Sequence, residues 1–456
     1  MRFARSFTVG LAFGSTLFVA SNGQAANSGP QRRAISPQDN PAKLLKNPSE
    51  LIRNLKQIED AKLLAGAVAE QPWSDDYWAI ANGQLGYRYL DEDFRAGNFS
   101  DLLRLFEASP ALPVFQAFTP GPSVENPLDR LSPAEKYDLI VGDENFSLTQ
   151  SQWAPGKRYA QKSEVESWMG LCHGWAAAAY MLPRATKSIE LKTKVDAKPI
   201  KFYPADIKAL ATLLWAQSAP RSRLIGDRCN EKEVRRDSRG RIKAENCFNT
   251  NPATFHSILA TLTGAQKRSF VMDVTYNYEV WNQPVRDYKI VYFDLDSGKE
   301  SERFEDVALE WKRYKRNDPF RRSRGSRFEV PQFVVGVRAT VNYMVENTPT
   351  DREIDGPSDD SVTEVIYEYD LELDRNHDVI GGEWISDSHP DFLWTYDPGS
   401  RAQTMGEIWS SGSFSLAPYD GDTLPDAWAA FAKAAAKDES SPLGVIVEEL
   451  IRRSNR

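Results

Sequence analysis

Ser167-Trp168-Met169-Gly170-Leu171-Cys172-His173-Gly174-Trp175-Ala176-Ala177-Ala178-Ala179 decides how the rest of the chain is read. A glycine-flanked loop runs straight into an alanine-rich helix, so Cys172 falls on the first helical turn. Unpaired backbone N–H groups and the positive end of the helix dipole gather there, and both favour a thiolate. A cysteine so placed reads as a nucleophile. The competing reading is a small buried thiol, since free cysteine is among the most buried residue types.

A nucleophilic thiol needs a base and a group that orients the base. The chain has only four histidines. His173 is the next residue to Cys172, and neighbouring helical residues project about 100° apart, which turns it away from the thiol. His377 falls in an expected turn. His256 opens an apolar run, residues 255–263, that reads as a strand, and Asp273 lies 17 residues on in a second run, residues 269–274. Two antiparallel strands joined by a turn at Gly264 would set these side chains beside each other. His389 is the rival base, but a proline follows it and no carboxylate stands at comparable spacing before Asp397.

Farther out, residues 51–64 carry helical apolar spacing, and a Pro-rich stretch at 108–127 separates this N-terminal part from the cysteine loop. Pro204 opens a helix to about residue 217. Short β-branched runs at 287–294 and 333–345 read as strands, and the alternation of Val365, Tyr367, Tyr369, Leu371 and Leu373 with polar neighbours predicts a strand with one buried face. Residues 425–437 and 442–453 predict two terminal helices. The order is α+β: a papain-like or transglutaminase-like cysteine-enzyme core over residues 128–400, an N-terminal helical region over 26–127 that could be a prosegment, and C-terminal helices over 401–456.

Residues 1–25 have the form of a secretory signal: Arg2 and Arg5, an apolar core, then Gly23-Gln24-Ala25 as a small-x-small cleavage site. A polar leader, residues 27–40, follows. A secreted or periplasmic protein is expected, without membrane insertion, because no later run approaches the roughly 18 apolar residues a spanning helix needs. Its removal takes away two arginines and no acids, so the net charge of −8 becomes −10, which excludes a general nucleic-acid binder. Of three cysteines, Cys229 and Cys247 lie 18 apart around a polar stretch and read as a disulfide, leaving Cys172 free. No CxxC or Cys/His spacing calls for a metal, and no cofactor is expected.

Two charged segments read as structure. Residues 312–327 hold eight basic side chains, a solvated loop rather than an anion site. Residues 374–383 alternate oxygen ligands as a calcium loop does, but the glycine and glutamate such a loop requires are out of place, and a β-turn is the expected form.

Val280-Trp281-Asn282-Gln283-Pro284-Val285-Arg286 resembles the start of the elicitor peptide segment of the secreted transglutaminases of oomycetes. Residues 168–179, 247–286 and 381–394 resemble the same transglutaminase-elicitor family, and weaker similarity runs from about residue 72. Asp287 and Tyr288 depart from the Gly and Phe of the elicitor segment. The resemblance implies protein-glutamine gamma-glutamyltransferase activity on a papain-like core, with Cys172 matching the nucleophile, His256 the base and Asp273 its orienter. Trp281 and Pro284 match positions that matter in the elicitor segment.

The expected reaction is isopeptide formation between protein glutamine and lysine through a cysteine thioester, by a monomer acting on protein substrates with accessible side chains. A dry aromatic channel favours an amine over water at the thioester, and Trp168, Trp175 and Trp281, with Pro284, are the candidates to line it. The alternatives are a cysteine peptidase or amidase on the same core, and a non-catalytic recognition module.

Overall fold

The computed structural model describes residues 35–121, 124–162, 165–235, 247, 250–325, 329–385, 389–410 and 419–456. The signal segment lies outside the described residues, as do Arg327 and most of the loop between Cys229 and Cys247.

Twelve strands are described: β1 Ala65–Ala67, β2 Ile189–Lys192, β3 Pro199–Phe202, β4 Arg223–Gly226, β5 Val271–Asp273, β6 Asn282–Phe293, β7 Glu300–Ser301, β8 Leu309–Glu310, β9 Phe333–Val345, β10 Ser361–Leu373, β11 Val379–Trp384 and β12 Phe392–Thr395. β2 and β3 form a separate hairpin. The other ten make one sheet, with the path β11-β10-β9-β6-β5-β12-β4, β1 and β7 on β6, and β8 on β9. All its described pairings are antiparallel.

The long β9/β10 ladder follows from the alternation seen in the sequence. It runs unbroken from Phe333 opposite Leu373 to Val345 opposite Ser361. Tyr367 faces Ala339 and Tyr369 faces Val337, so a large side chain meets a small one at each step. Tyr367, Tyr369, Leu371 and Leu373 are buried as expected, but Asp370 and Glu372 on the other face are buried as well, so the strand has two covered faces at this end and not one. The first four join Ile258, Leu259, Ile290 and Val341 in one apolar cluster on the inner face of the sheet.

A second cluster holds the helices. Pro133–Val141, Cys172–Met181, Pro204–Ser218 and the terminal pair Asp426–Glu439 and Gly444–Ser454 pack together around Trp175, Leu210, Leu214 and Ile446. The helix expected from Pro204 and the two expected at the C-terminus stand within about two residues of their sequence positions.

The apolar run at 255–263, expected as a strand, is helical. Asn251 caps it, its side chain accepting from the Ala253 N–H, and Pro252 takes the first-turn position. Pro252–Ile258 then continues through a π-helical stretch, Leu259–Ala265, which contains Gly264. Every residue of Pro252–Ile258 is buried. A helix covered on all sides shows no 3.6-residue alternation, so its sequence looks like a buried strand.

The N-terminal part is woven into the rest. Helix Leu55–Asp60 falls within the expected apolar spacing, whereas Ala111–Ala117 forms inside the stretch expected as a Pro-rich separator; β1 pairs with β6, and Trp73 and Trp78 lie in the same cluster as Trp175. The end of the polar leader is fixed as well: the Asp39 carboxylate accepts the Asn251 N–H at 2.6 Å. Residues 374–378 form the turn between β10 and β11, with the Asp374 carboxylate accepting the N–H groups of Asn376 and Asp378. In the basic stretch, Arg324 is fully buried against Asp318, Asp370 and Glu372, so that residue anchors the loop instead of facing water.

Candidate functional site

Cys172 is the first residue of its helix, and Leu171 before it offers no side-chain cap. The glycines around it serve close packing. A Cβ on Gly174 would lie 2.2 Å from the Thr212 carbonyl oxygen, and one on Gly170 2.5 Å from that of Tyr77. Loop and helix are thereby held against residues 77–78 and the Pro204–Ser218 helix. The Cys172 thiol is 5% exposed. Its Sγ lies 3.5 Å from Asn282 Nδ2 and 3.7 Å from the Val280 carbonyl oxygen. Burial pushes the thiol up to about 11, against the bonds from Asn282 that pull it down.

Asn282 continues inward, its Oδ1 accepting the Trp394 indole N–H at 2.7 Å. Opposite it in the β5/β6 ladder stands Asp273. Asp273 Oδ1 accepts three donors: the Thr275 N–H, the Thr275 hydroxyl and the Trp281 N–H, at 3.2, 2.8 and 3.0 Å. Its Oδ2 is buried without a partner among the described residues. Burial raises this carboxyl to about 7 in spite of those donors. The Asp391 N–H donates to the Asp273 carbonyl, and the Asp391 carboxylate accepts the Cys229 N–H at 2.7 Å. Burial, then the Asp273 charge, raise Asp391 to about 8. Cys229 and Cys247 are bridged and Cys172 is free, as expected.

His256 is placed differently from the sequence expectation: on a buried helix, not a strand. Its Nδ1 shares a 3.0 Å hydrogen bond with the Tyr369 hydroxyl, and Nε2 is buried without a partner among the described residues. Burial depresses the imidazole to about 3. No hydrogen bond among the described residues joins His256 to Cys172 or to Asp273. His389 is also buried, lying flat on Trp384 with ring centroids 5.3 Å apart. His173 is exposed, and His377 occupies the β10–β11 turn.

Of the four channel candidates, Trp168 and Trp281 are half-buried near the cysteine. The Trp281 ring sits 5.4 Å from that of Tyr77, and Trp168 5.7 Å from that of Tyr278. Each indole N–H is tied to a glutamate two residues before it, Glu279 and Glu166. Arg228 stacks over Trp168, and Lys232 pairs with Glu166. Trp175 is corrected to the core: it has no exposed surface, and its N–H is spent on the Trp73 carbonyl. Pro284 is buried inside β6, opposite Val271. Among the described residues no cluster of three or more His, Cys, Asp and Glu could hold a metal ion, and no helix is long and apolar enough to cross a membrane.

The family model of the transglutaminase elicitor matches residues 48–410. The chain belongs to that family. A solved structure resembles it: the crystal structure of the GP42 transglutaminase from Phytophthora sojae, at 19% identity and a TM-score of 0.51, over 89% of this chain and 99% of that one. At such identity the likeness is one of fold, and it bears out a mixed helix-and-sheet architecture. A search of curated protein sequences finds no match.

In this transglutaminase elicitor family member the heptapeptide 280–286 is the strand entry that touches the cysteine. It supplies the Val280 carbonyl and the Asn282 amide. Sequence reasoning named Trp281 and Pro284 in it and missed Asn282, whose role depends on a helix 110 residues away. Asp391 was missed too, although it lies two residues past His389.

Proposed function

We propose that the protein is a transglutaminase that joins protein glutamine to primary amines through a thioester on Cys172. What supports this reading is the free cysteine at an uncapped helix start, touching Asn282 in a chain of the transglutaminase elicitor family. Cys172 Sγ attacks the glutamine carboxamide carbon, the C–N bond breaks, and ammonia leaves with the thiol proton. An amine nitrogen then attacks the thioester, the C–S bond breaks, and the amide product leaves. First-turn N–H groups at the uncapped helix start serve as the oxyanion donors in this reading.

The proton acceptor is Asp273 in this reading. Its Oδ2 is unpartnered, its ladder neighbour Asn282 touches the thiol, and a carboxyl near 7 suits a general base at neutral pH. The assignment drawn from the sequence, His256 as base and Asp273 as orienter, requires His256 to leave Tyr369 and reach the thiol. The family and the Cys229–Cys247 disulfide also fit a secreted enzyme whose substrates are proteins.

The test is incorporation of a fluorescent primary amine into a glutamine-donor protein by the mature chain. Cys172→Ala should abolish it, and Asp273→Asn should lower kcat by roughly 100-fold, the usual scale for a lost general base. His256→Ala with a comparable loss at unchanged folded fraction would return the base to His256. Ammonia release without amine incorporation would make the protein an amidase.

A further inference from the structure

Beside the cysteine loop stands an acidic wall, near enough that, beyond burial, the Glu346 charge also pushes the Cys172 thiol up. The Asn347 N–H donates to the Asp75 carbonyl at 2.9 Å, and the Leu171 N–H to the Tyr77 carbonyl at 2.5 Å. These two bonds bring the end of β9, the segment 75–77 and the start of the cysteine helix together, with Asp76 and Glu346 at the junction. Gln283 Nε2 donates to both Glu346 oxygens, at 3.0 and 3.2 Å. Its Oε1, in a residue only 3% exposed, has no partner among the described residues. Asp76 Oδ1 accepts the Trp78 N–H at 2.6 Å. Among the described residues no lysine or arginine forms an ion pair with Asp76 or Glu346. Tyr77, next in sequence, and Trp281 close the aromatic side.

Acceptors alone, partly withdrawn from water and lacking a counter-ion, constitute a site for a positive charge, and aromatic faces add to it. We propose that Asp76, Glu346 and Gln283 Oε1 form the subsite for the ammonium head of the acceptor amine, with Tyr77 and Trp281 as its wall. This rests on the transglutaminase reading and names the groups that select the second substrate. A bound ammonium passes one proton to a carboxylate and becomes a free amine. Its nitrogen attacks the thioester carbonyl, the C–S bond breaks, and the departing sulfur takes the nitrogen's second proton. The carboxylic acid then returns its proton to water, leaving amide and thiol.

The full chain, given a glutamine-donor protein, is assayed with cadaverine, a dication at pH 7, and with hydroxylamine, which is neutral there. The double substitution Asp76→Asn, Glu346→Gln keeps both shapes and leaves one oxygen at position 346 to accept from Gln283. It should raise KM for cadaverine roughly tenfold, the equivalent of about 1.4 kcal/mol, while KM for hydroxylamine moves less than about twofold. Equal shifts for both amines, or none, would overturn the subsite while amine transfer itself stands. Calorimetric titration of cadaverine into the wild type and the same variant reads the subsite without turnover. Binding that the variant loses, in a protein that incorporates no amine, would keep the cation site and remove the transglutaminase reading. No binding and no turnover would remove both.

Discussion

At the scale of the residue, two effects compete at Cys172 and burial wins. The helix start favours the thiolate, yet the thiol is 5% exposed and pushed up to about 11. About one part in ten thousand is ionised at pH 7, so iodoacetamide should alkylate native Cys172 slowly, with a rate rising about tenfold per pH unit between pH 7 and 10. A rate already on its plateau at pH 7 would mean that the thiolate is the resting form. The nucleophile candidate and the cysteine pairing were readable because glycines, alanines and an odd cysteine count act locally. Asn282 was not, because an amide gains its meaning only from the thiol and indole that the fold brings to its two ends.

At the scale of the element, the clearest success and the clearest failure lie on facing surfaces. β10 showed itself through its alternation of apolar and polar residues, although both faces are buried from Tyr369 to Leu373, the polar one by Asp370 and Glu372 against Arg324. The Pro252–Ile258 helix packs against β10 and β11 and is covered all round, so its period vanished and His256 went to the wrong element. The Asn251-Pro252 cap was the signal that could have placed it. The disulfide illustrates an element held from outside. Closing its loop is worth about 3 kcal/mol in the chain-entropy model, and the Cys229 N–H also holds Asp391. Replacing Cys229 and Cys247 together by serine should lower the urea midpoint by at least that stability equivalent. An unchanged midpoint would show that the Lys232–Glu166 and Arg228–Trp168 contacts hold the segment without the bridge.

For the whole molecule, several buried carboxyls share one sign. Asp138 and Asp391 are raised to about 8 and Asp273 to about 7, each chiefly by burial. Their unfolded values lie near 3.9, so between about pH 4 and 8 the folded chain holds more protons than the unfolded one, and stability falls as pH rises. Tm should therefore be higher at pH 5 than at pH 8, read by calorimetry; the reverse order would show these acids ionised and paired. The α+β class and the terminal helices were readable in the sequence, and β1 and Trp73, which precede the boundary expected near residue 127, pair and pack with elements beyond it. The sheet also hides part of its own surface chemistry. Residues 282–285 are buried, and their backbone is committed to β5 and β9. To an immune system this heptapeptide is therefore a concealed epitope: an antibody raised against linear 280–286 should stain the denatured chain on a blot and fail to precipitate the native protein.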